Sequence, residues 1–285
     1  MFSVLQEQDL SILEDDSTRS RVSVLPQRGG IVLSWTVGEQ EIFYLDRERF
    51  ANPELSIRGG IPLLFPICGN LVEDSYLWQG QRYKLSQHGF ARNMPWEVTA
   101  RHTEEAASLT VTLVSNEQTL AVYPFPFRLD YIYTLQGHEL ELRFRHSNQG
   151  SEPMPFGSGI HPYFLAPDKT KLSFNLPAHQ FIAKGETTPQ PFDGQFDFDR
   201  DEIDIALMPL SGQVATVTDA AQNLELTLTY DAHYSTLVFW TVKGKDFYCL
   251  EPWTSPRNAM NTGEHLLQVN PGETIETKVT IAVKL

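Results

Sequence analysis

An all-β fold is predicted by three observations. Apolar residues recur at every second position through much of the chain, no segment sustains a helical period, and connections rich in glycine, proline, asparagine and aspartate punctuate the alternating stretches. The alternation is clearest over residues 109–113, 140–144, 224–228 and 275–283, each of which puts its apolar side chains on one face. These read as half-buried strands. Residues 31–37 and 236–242 carry more apolar and aromatic side chains, the pattern of central strands covered on both faces. Three connections, 59–62, 153–167 and 252–263, are the places where a rigid β scaffold would carry binding chemistry.

A chain of 285 residues could form two domains, but large β-sandwiches reach this size as one unit, and no linker, repeat or low-complexity tract divides residues 1–285. One domain is expected. The aromatic, acidic stretch 190–204 is too short to be another. With 41% hydrophobic and 20% charged residues there is ample material for a core. The formal charge of -14 repels phosphate backbones and anionic lipid, so neither nucleic acid nor a membrane is an expected partner. Cys68 and Cys249 are far apart and form neither a disulfide framework nor a zinc signature. Glu7, Asp9, Glu14, Asp15 and Asp16 occupy the start of the chain, where a signal peptide would be basic and then apolar. A cytoplasmic location is expected.

Four segments hold the candidate chemistry. Arg58 precedes two glycines and a proline in RGGIPLLFP (58–66), which is either a tight turn with a surface cation or a fixed guanidinium offered to a carboxylate, hydroxyl or phosphate. QHGFAR (87–92) groups Gln87, His88 and Arg92 around a glycine, a set suited to sugar hydroxyls, with Trp96 beyond it as either core or stacking platform. In GIHPYF (159–164) a glycine-rich turn and a proline restrain His161, as would suit either a structural histidine or an aimed proton donor with an ordinary pKa of about 6.5. CLEPW (249–253) places Glu251 at the end of an apolar strand, before a proline expected to stop the ladder. That carboxylate is either solvated or, if desolvated, a stronger base. Ser158 lies outside any GxSxG elbow, which disfavours a serine hydrolase. A glycosidase would need two carboxylates about 5–9 Å apart, and only Asp204 offers itself as the second.

Together, RGGIPLLFP, QHGFAR, GIHPYF and CLEPW resemble the aldose 1-epimerase (galactose mutarotase-like) superfamily, and the first two resemble its hexose-6-phosphate mutarotase branch. The resemblance implies a large antiparallel β-sandwich of the supersandwich type with a sugar cleft on one open face, and an isomerase that interconverts anomers without metal or organic cofactor. It implies His161 as acid, Glu251 as base, and Arg58, Gln87, His88, Arg92 and Asp204 as substrate-binding residues. Two features depart from the phosphate-specific branch: Ile205 stands where an arginine often follows the aspartate, and Trp253 follows Pro252 where glycine is common. Whether the sugar is phosphorylated therefore turns on Arg58 and Arg92; their convergence on one pocket would favour a sugar 6-phosphate. A non-catalytic carbohydrate-binding sandwich is the alternative, though it would not require the His161 and Glu251 pair. The expected partner is a small sugar or sugar phosphate, and the expected assembly is a monomer or weak homodimer.

Overall fold

The computed structural model describes residues 1–52 and 55–285. Among them every paired strand is antiparallel, and the longest helix has six residues, Glu117–Val122. One eight-stranded sheet runs in the order Leu172–Asn175, Val214–Asp219, Leu224–Tyr230, Thr274–Lys284, Glu139–Asn148, Phe127–Gln136, Ala107–Val114 and Glu97–His102. Its alternation is strict: Leu129, Tyr131, Tyr133 and Leu135 are buried while Arg128, Asp130, Ile132 and Thr134 face outward. A five-stranded sheet is built from the first 41 residues, including Leu10–Asp15, Ser20–Leu25 and Ile31–Val37. The large antiparallel sandwich implied by the motifs is the fold observed.

The second eight-stranded sheet carries the cleft. Its central strands are Glu202–Leu207, Thr236–Val242 and Phe247–Trp253, flanked beyond the last by the short strands Gly159–Ile160 and Tyr163–Leu165. On the inner face Ile203, Ile205, Leu207, Leu237, Phe239, Tyr248 and Leu250 join a cluster that also contains Leu13, Trp35, Leu109 and Ile281, so all three large sheets share one body of apolar side chains. Burying side chains of this size contributes about 1.5–3 kcal/mol each. Period two then fixes the other face: Glu202, Asp204, Val238, Trp240, Glu251 and Trp253 line a cleft.

Two sequence expectations change here. The strand Thr236–Val242 is covered by core on one face only, because Val238 and Trp240 form part of the cleft lining. Pro252 does not stop the ladder. It pairs with Leu237 inside the strand, and Trp253 continues the pairing to Thr236 and Gly159. Trp96 belongs to the core, only 1% exposed, with its indole N–H donating to the Ala91 carbonyl. The aromatic stretch after residue 190 packs inward as well, with Phe196 stacked on Phe239.

Gly89 lets the second motif sit directly on the first. Its φ is +70°, and a Cβ there would lie 2.2 Å from the Phe65 carbonyl oxygen, which accepts the Phe90 and Ala91 N–H groups. Gly137 also has positive φ, but a Cβ there meets nothing within 4 Å. Gly89→Ala should therefore cost about 2–4 kcal/mol, combining left-handed strain with a backbone clash, against about 1–2 kcal/mol for Gly137→Ala. Urea unfolding of both variants measures the difference, and equal losses would contradict the packing described.

Candidate active site

Strand register explains how two distant motifs meet. Tyr163 pairs with Cys249 and Gly159 pairs with Trp253, so the same register sets His161 opposite Glu251. Regular pairing breaks there, where Pro162 and Pro252 each lack an N–H, and the two side chains share the cleft face. His161 Nε2 lies 3.4 Å from Glu251 Oε1. The other carboxylate oxygen accepts the Trp253 indole N–H at 3.1 Å. His161 is stacked on Tyr163 at 4.8 Å with the rings 7° apart, and the Trp240 ring stands edge-on to it at 5.7 Å. Ring packing on two sides restricts where the imidazole can turn.

Neighbouring motifs close the rest of the cleft, which has a volume of about 220 Å³. His88 adopts a left-handed backbone, φ +66°, and its Nδ1 accepts the Gly69 N–H at 3.1 Å. A neutral His88 ring must then carry its proton on Nε2, the nitrogen 3.3 Å from the Gln87 side-chain amide. Arg92 donates to the Gln87 carbonyl through Nη2, while its buried Nε has no hydrogen-bond partner among the described residues. Arg58 lies over the Trp240 ring, 5.9 Å from its centroid. Trp240 in turn donates to Glu202 at 2.7 Å. Asp204 is clamped from two sides, by Arg257 and by Lys184 Nζ at 3.1 Å.

All seven residues singled out in the sequence, Arg58, Gln87, His88, Arg92, His161, Asp204 and Glu251, thus line one cleft. Sequence reasoning missed Arg257, Lys184 and Trp240. Arg257 lies in the connection already suspected, and the alternation of the strand could have placed Trp240 beside Asp204, its cross-strand partner. Lys184, just past the strand Gln180–Ala183, carries no comparable signal.

Electrostatics favour a neutral pair. Burial, followed by the charges of Arg92, Arg257 and Arg58, pushes His161 down to about 3, against the opposing pull of a backbone hydrogen bond. Burial and then the Asp204 charge hold the Glu251 carboxyl well above the usual carboxylate range, although Arg257, the Trp253 N–H and Arg92 act the other way. His88 is held well below its ordinary value by burial and then by His161 and the nearby cations. The expected desolvated carboxylate is therefore found, whereas the imidazole is far less basic than an unperturbed histidine. Such a pair holds one proton between two sites, which suits a reaction that takes one proton from an oxygen and gives one to another.

Comparison with known proteins identifies the family of the chain. Residues 12–282 match the family model described as aldose 1-epimerase. The crystal structure of the Slr1438 protein from Synechocystis sp. PCC 6803 superposes with a TM-score of 0.95 at 43% identity, covering 98% of this chain and 96% of that one. A galactose mutarotase related enzyme from Lactobacillus acidophilus shares the fold, with a TM-score of 0.75 at 24% identity over 100% and 98% of the two chains. A protein of Escherichia coli (strain K12) provisionally named glucose-6-phosphate 1-epimerase is 28% identical over 182 residues, or 63% of this chain; the match spans 56% of that relative's length. Fold, ordered motifs and a match over nearly the whole sequence lead to one conclusion: this chain belongs to the aldose 1-epimerase family.

Proposed function

We propose that the protein is a mutarotase that interconverts the α and β anomers of a hexose 6-phosphate by opening and reclosing the ring. The observation that carries this reading is the buried His161 and Glu251 pair, 3.4 Å apart and facing a cleft lined with sugar-binding groups. Hydrogen bonds from sugar hydroxyls return to the Glu251 carboxylate part of the solvation that burial removes, and the shared proton moves to His161. Glu251 then takes the proton of the anomeric hydroxyl while His161 protonates the ring oxygen. The bond from C1 to O5 breaks, leaving an aldehyde at C1. Rotation about the bond from C1 to C2 presents the other carbonyl face, and reclosure reverses both transfers. Proton count and oxidation state are unchanged over the cycle.

Arg58 and Arg92 support the phosphorylated substrate. Both line the cleft, whereas Lys184 and Arg257 are engaged by Asp204. In a protein of charge -14, two such guanidiniums at one site concentrate positive potential where a phosphate could use it. The provisional name of the E. coli relative points the same way. Asp204, Gln87 and His88 supply acceptors and donors for ring hydroxyls. Asp204, held by two cations, is positioned to orient substrate and to keep the neighbouring Glu251 basic.

Anomer exchange followed by NMR in dilute buffer tests the chemistry. His161→Ala and Glu251→Gln should each lose about 10²- to 10⁴-fold in catalysed rate while still binding sugar. Full activity in either variant would remove the mechanism. Arg58→Ala and Arg92→Ala should raise KM for glucose 6-phosphate roughly tenfold or more each, the loss of a charge-assisted contact worth about 1.5–3 kcal/mol, and leave glucose and galactose little changed. Equal or faster exchange of the free sugars by the wild type would instead identify a general aldose epimerase.

Stability against pH tests the neutral pair independently. An unfolded chain releases the Glu251 proton above the ordinary value of 4.5, but the folded protein retains it, so rising pH disfavours folding until the raised folded value is reached. For His161 the unfolded imidazole binds a proton below 6.5 and the folded one only near 3, so falling pH disfavours folding across that interval. Each group acts with a limiting slope of about 1.4 kcal/mol per pH unit. Glu251→Gln should gain stability relative to wild type as pH rises above 4.5, and His161→Asn should gain as pH falls below 6.5. Thermal unfolding across both intervals would show it, and parallel curves for wild type and variants would contradict a neutral buried pair.

A further inference from the structure

Cys249 has no part in the proton transfers, yet it occupies the floor of the same sheet face two residues before Glu251. Cross-strand pairing sets it beside Tyr163 on one flank and Trp240 on the other. The thiol is fully buried and unbridged. A donor nitrogen of His161, the Cys249 Sγ and a carboxylate oxygen of Glu251 all lie within 4.8 Å of one another, and all three residues are buried. Imidazole, thiolate and carboxylate are the three ligand types that zinc accepts, at about 2.0–2.3 Å.

We propose that His161, Cys249 and Glu251 form an inhibitory site for a thiophilic divalent cation such as Zn²⁺, with the cleft supplying the fourth position to water or a sugar hydroxyl. A tetrahedral zinc site places its ligand atoms roughly 3.3–3.8 Å apart, so the cluster needs a contraction of at most about 1.5 Å. His161 and Glu251 border the cleft and give the ion an approach, while Cys249 makes the site selective. A soft sulfur favours zinc over magnesium or calcium, which prefer oxygen. Inhibition follows from atom counting. The lone pairs that bind the ion are those that must accept and deliver protons, so metal occupancy and mutarotation exclude each other. Coordination expels the thiol proton and any proton held by the pair, and zinc should therefore bind more tightly as pH rises.

This inference rests on the mutarotase reading for its effect on activity, but metal binding can be read without activity. Chelator-treated wild type is titrated with Co²⁺ to look for thiolate-to-metal charge-transfer absorption, and Zn²⁺ is then added to displace it. The band should appear in wild type and in Cys68→Ser, and be absent from Cys249→Ser. Glu251→Gln, whose folding does not depend on the thiol, should weaken Co²⁺ affinity roughly 10- to 100-fold, at least the loss that even an outer-shell partner causes. In anomer exchange, Zn²⁺ but not Mg²⁺ should inhibit wild type, with reversal by chelator. Cys249→Ser should retain the uninhibited rate and need roughly 10- to 100-fold more Zn²⁺ for half-inhibition. Absence of the band in wild type, or a Zn²⁺ response unchanged by Cys249→Ser, would overturn the site. A wild type that shows the band but exchanges no sugar would keep the metal site and refute the mutarotase reading instead.

Discussion

The site depends on strand register. A one-residue slip between the segment around His161 and the strand Phe247–Trp253 would send Glu251 toward the core and bring Leu250 to the cleft face. Such a slip is opposed by the whole inner face, because Tyr248 and Leu250 are buried in the cluster shared by the three large sheets. The energy that aligns His161 with Glu251 therefore comes mainly from apolar burial behind them. A side-chain contact as weak as 3.4 Å could not set the alignment alone. Glu251 sits on a paired strand and His161 in the two-residue gap between the strands Gly159–Ile160 and Tyr163–Leu165, which limits the scatter of the two side chains more tightly than a mobile loop would.

Charge inside the cleft is arranged against the sign of the whole protein. Four cations, Arg58, Arg92, Lys184 and Arg257, face the acidic side chains of Glu202 and Asp204 and the neutral Glu251 carboxyl. Asp204 is the hub. It balances Lys184 and Arg257, and its negative charge is the second cause, after burial, of the high Glu251 value. Trp253 links the same groups by another route, donating its N–H to Glu251 while Arg257 lies over its ring at 5.1 Å. Beyond this end the cleft meets a groove of about 820 Å³ that shares Gln87, Lys184 and Arg257. A small recess shares Ser56, Ile57 and Arg92 with the cleft.

Much of this was legible in the sequence because burial writes itself as periodicity. The strands around residues 109–113, 140–144, 224–228 and 275–283 were readable from side-chain alternation alone, since each has one face in the core and one outside it. The pairing of distant strands was less accessible. Nothing local in GIHPYF or CLEPW says that residue 161 lies opposite residue 251; the resemblance to a known family brought them together, and the register supplies the physical reason. Pro252 misled for a related cause. A proline ordinarily ends a ladder by removing a donor, but here the flanking strand is itself interrupted at His161 and Pro162, so pairing resumes at Trp253. Trp240 looked like core because aromatic content does not distinguish an apolar interior from a cleft wall.

The low basicity of His161 follows from the same burial that aligns it, and this has a consequence for catalysis. An imidazole that remained protonated in the resting site would require a compensating charge, and burying an ion pair costs desolvation of both partners. A neutral pair avoids that cost until substrate arrives. In water the imidazole is the more basic partner; burial and the surrounding charges reverse that order here, so in the proposed reaction sugar hydroxyls must return enough solvation to the Glu251 carboxylate for the proton to reach His161. In the proposed mechanism the two groups exchange roles between ring opening and ring closure, so the pair regains its starting protonation after each cycle.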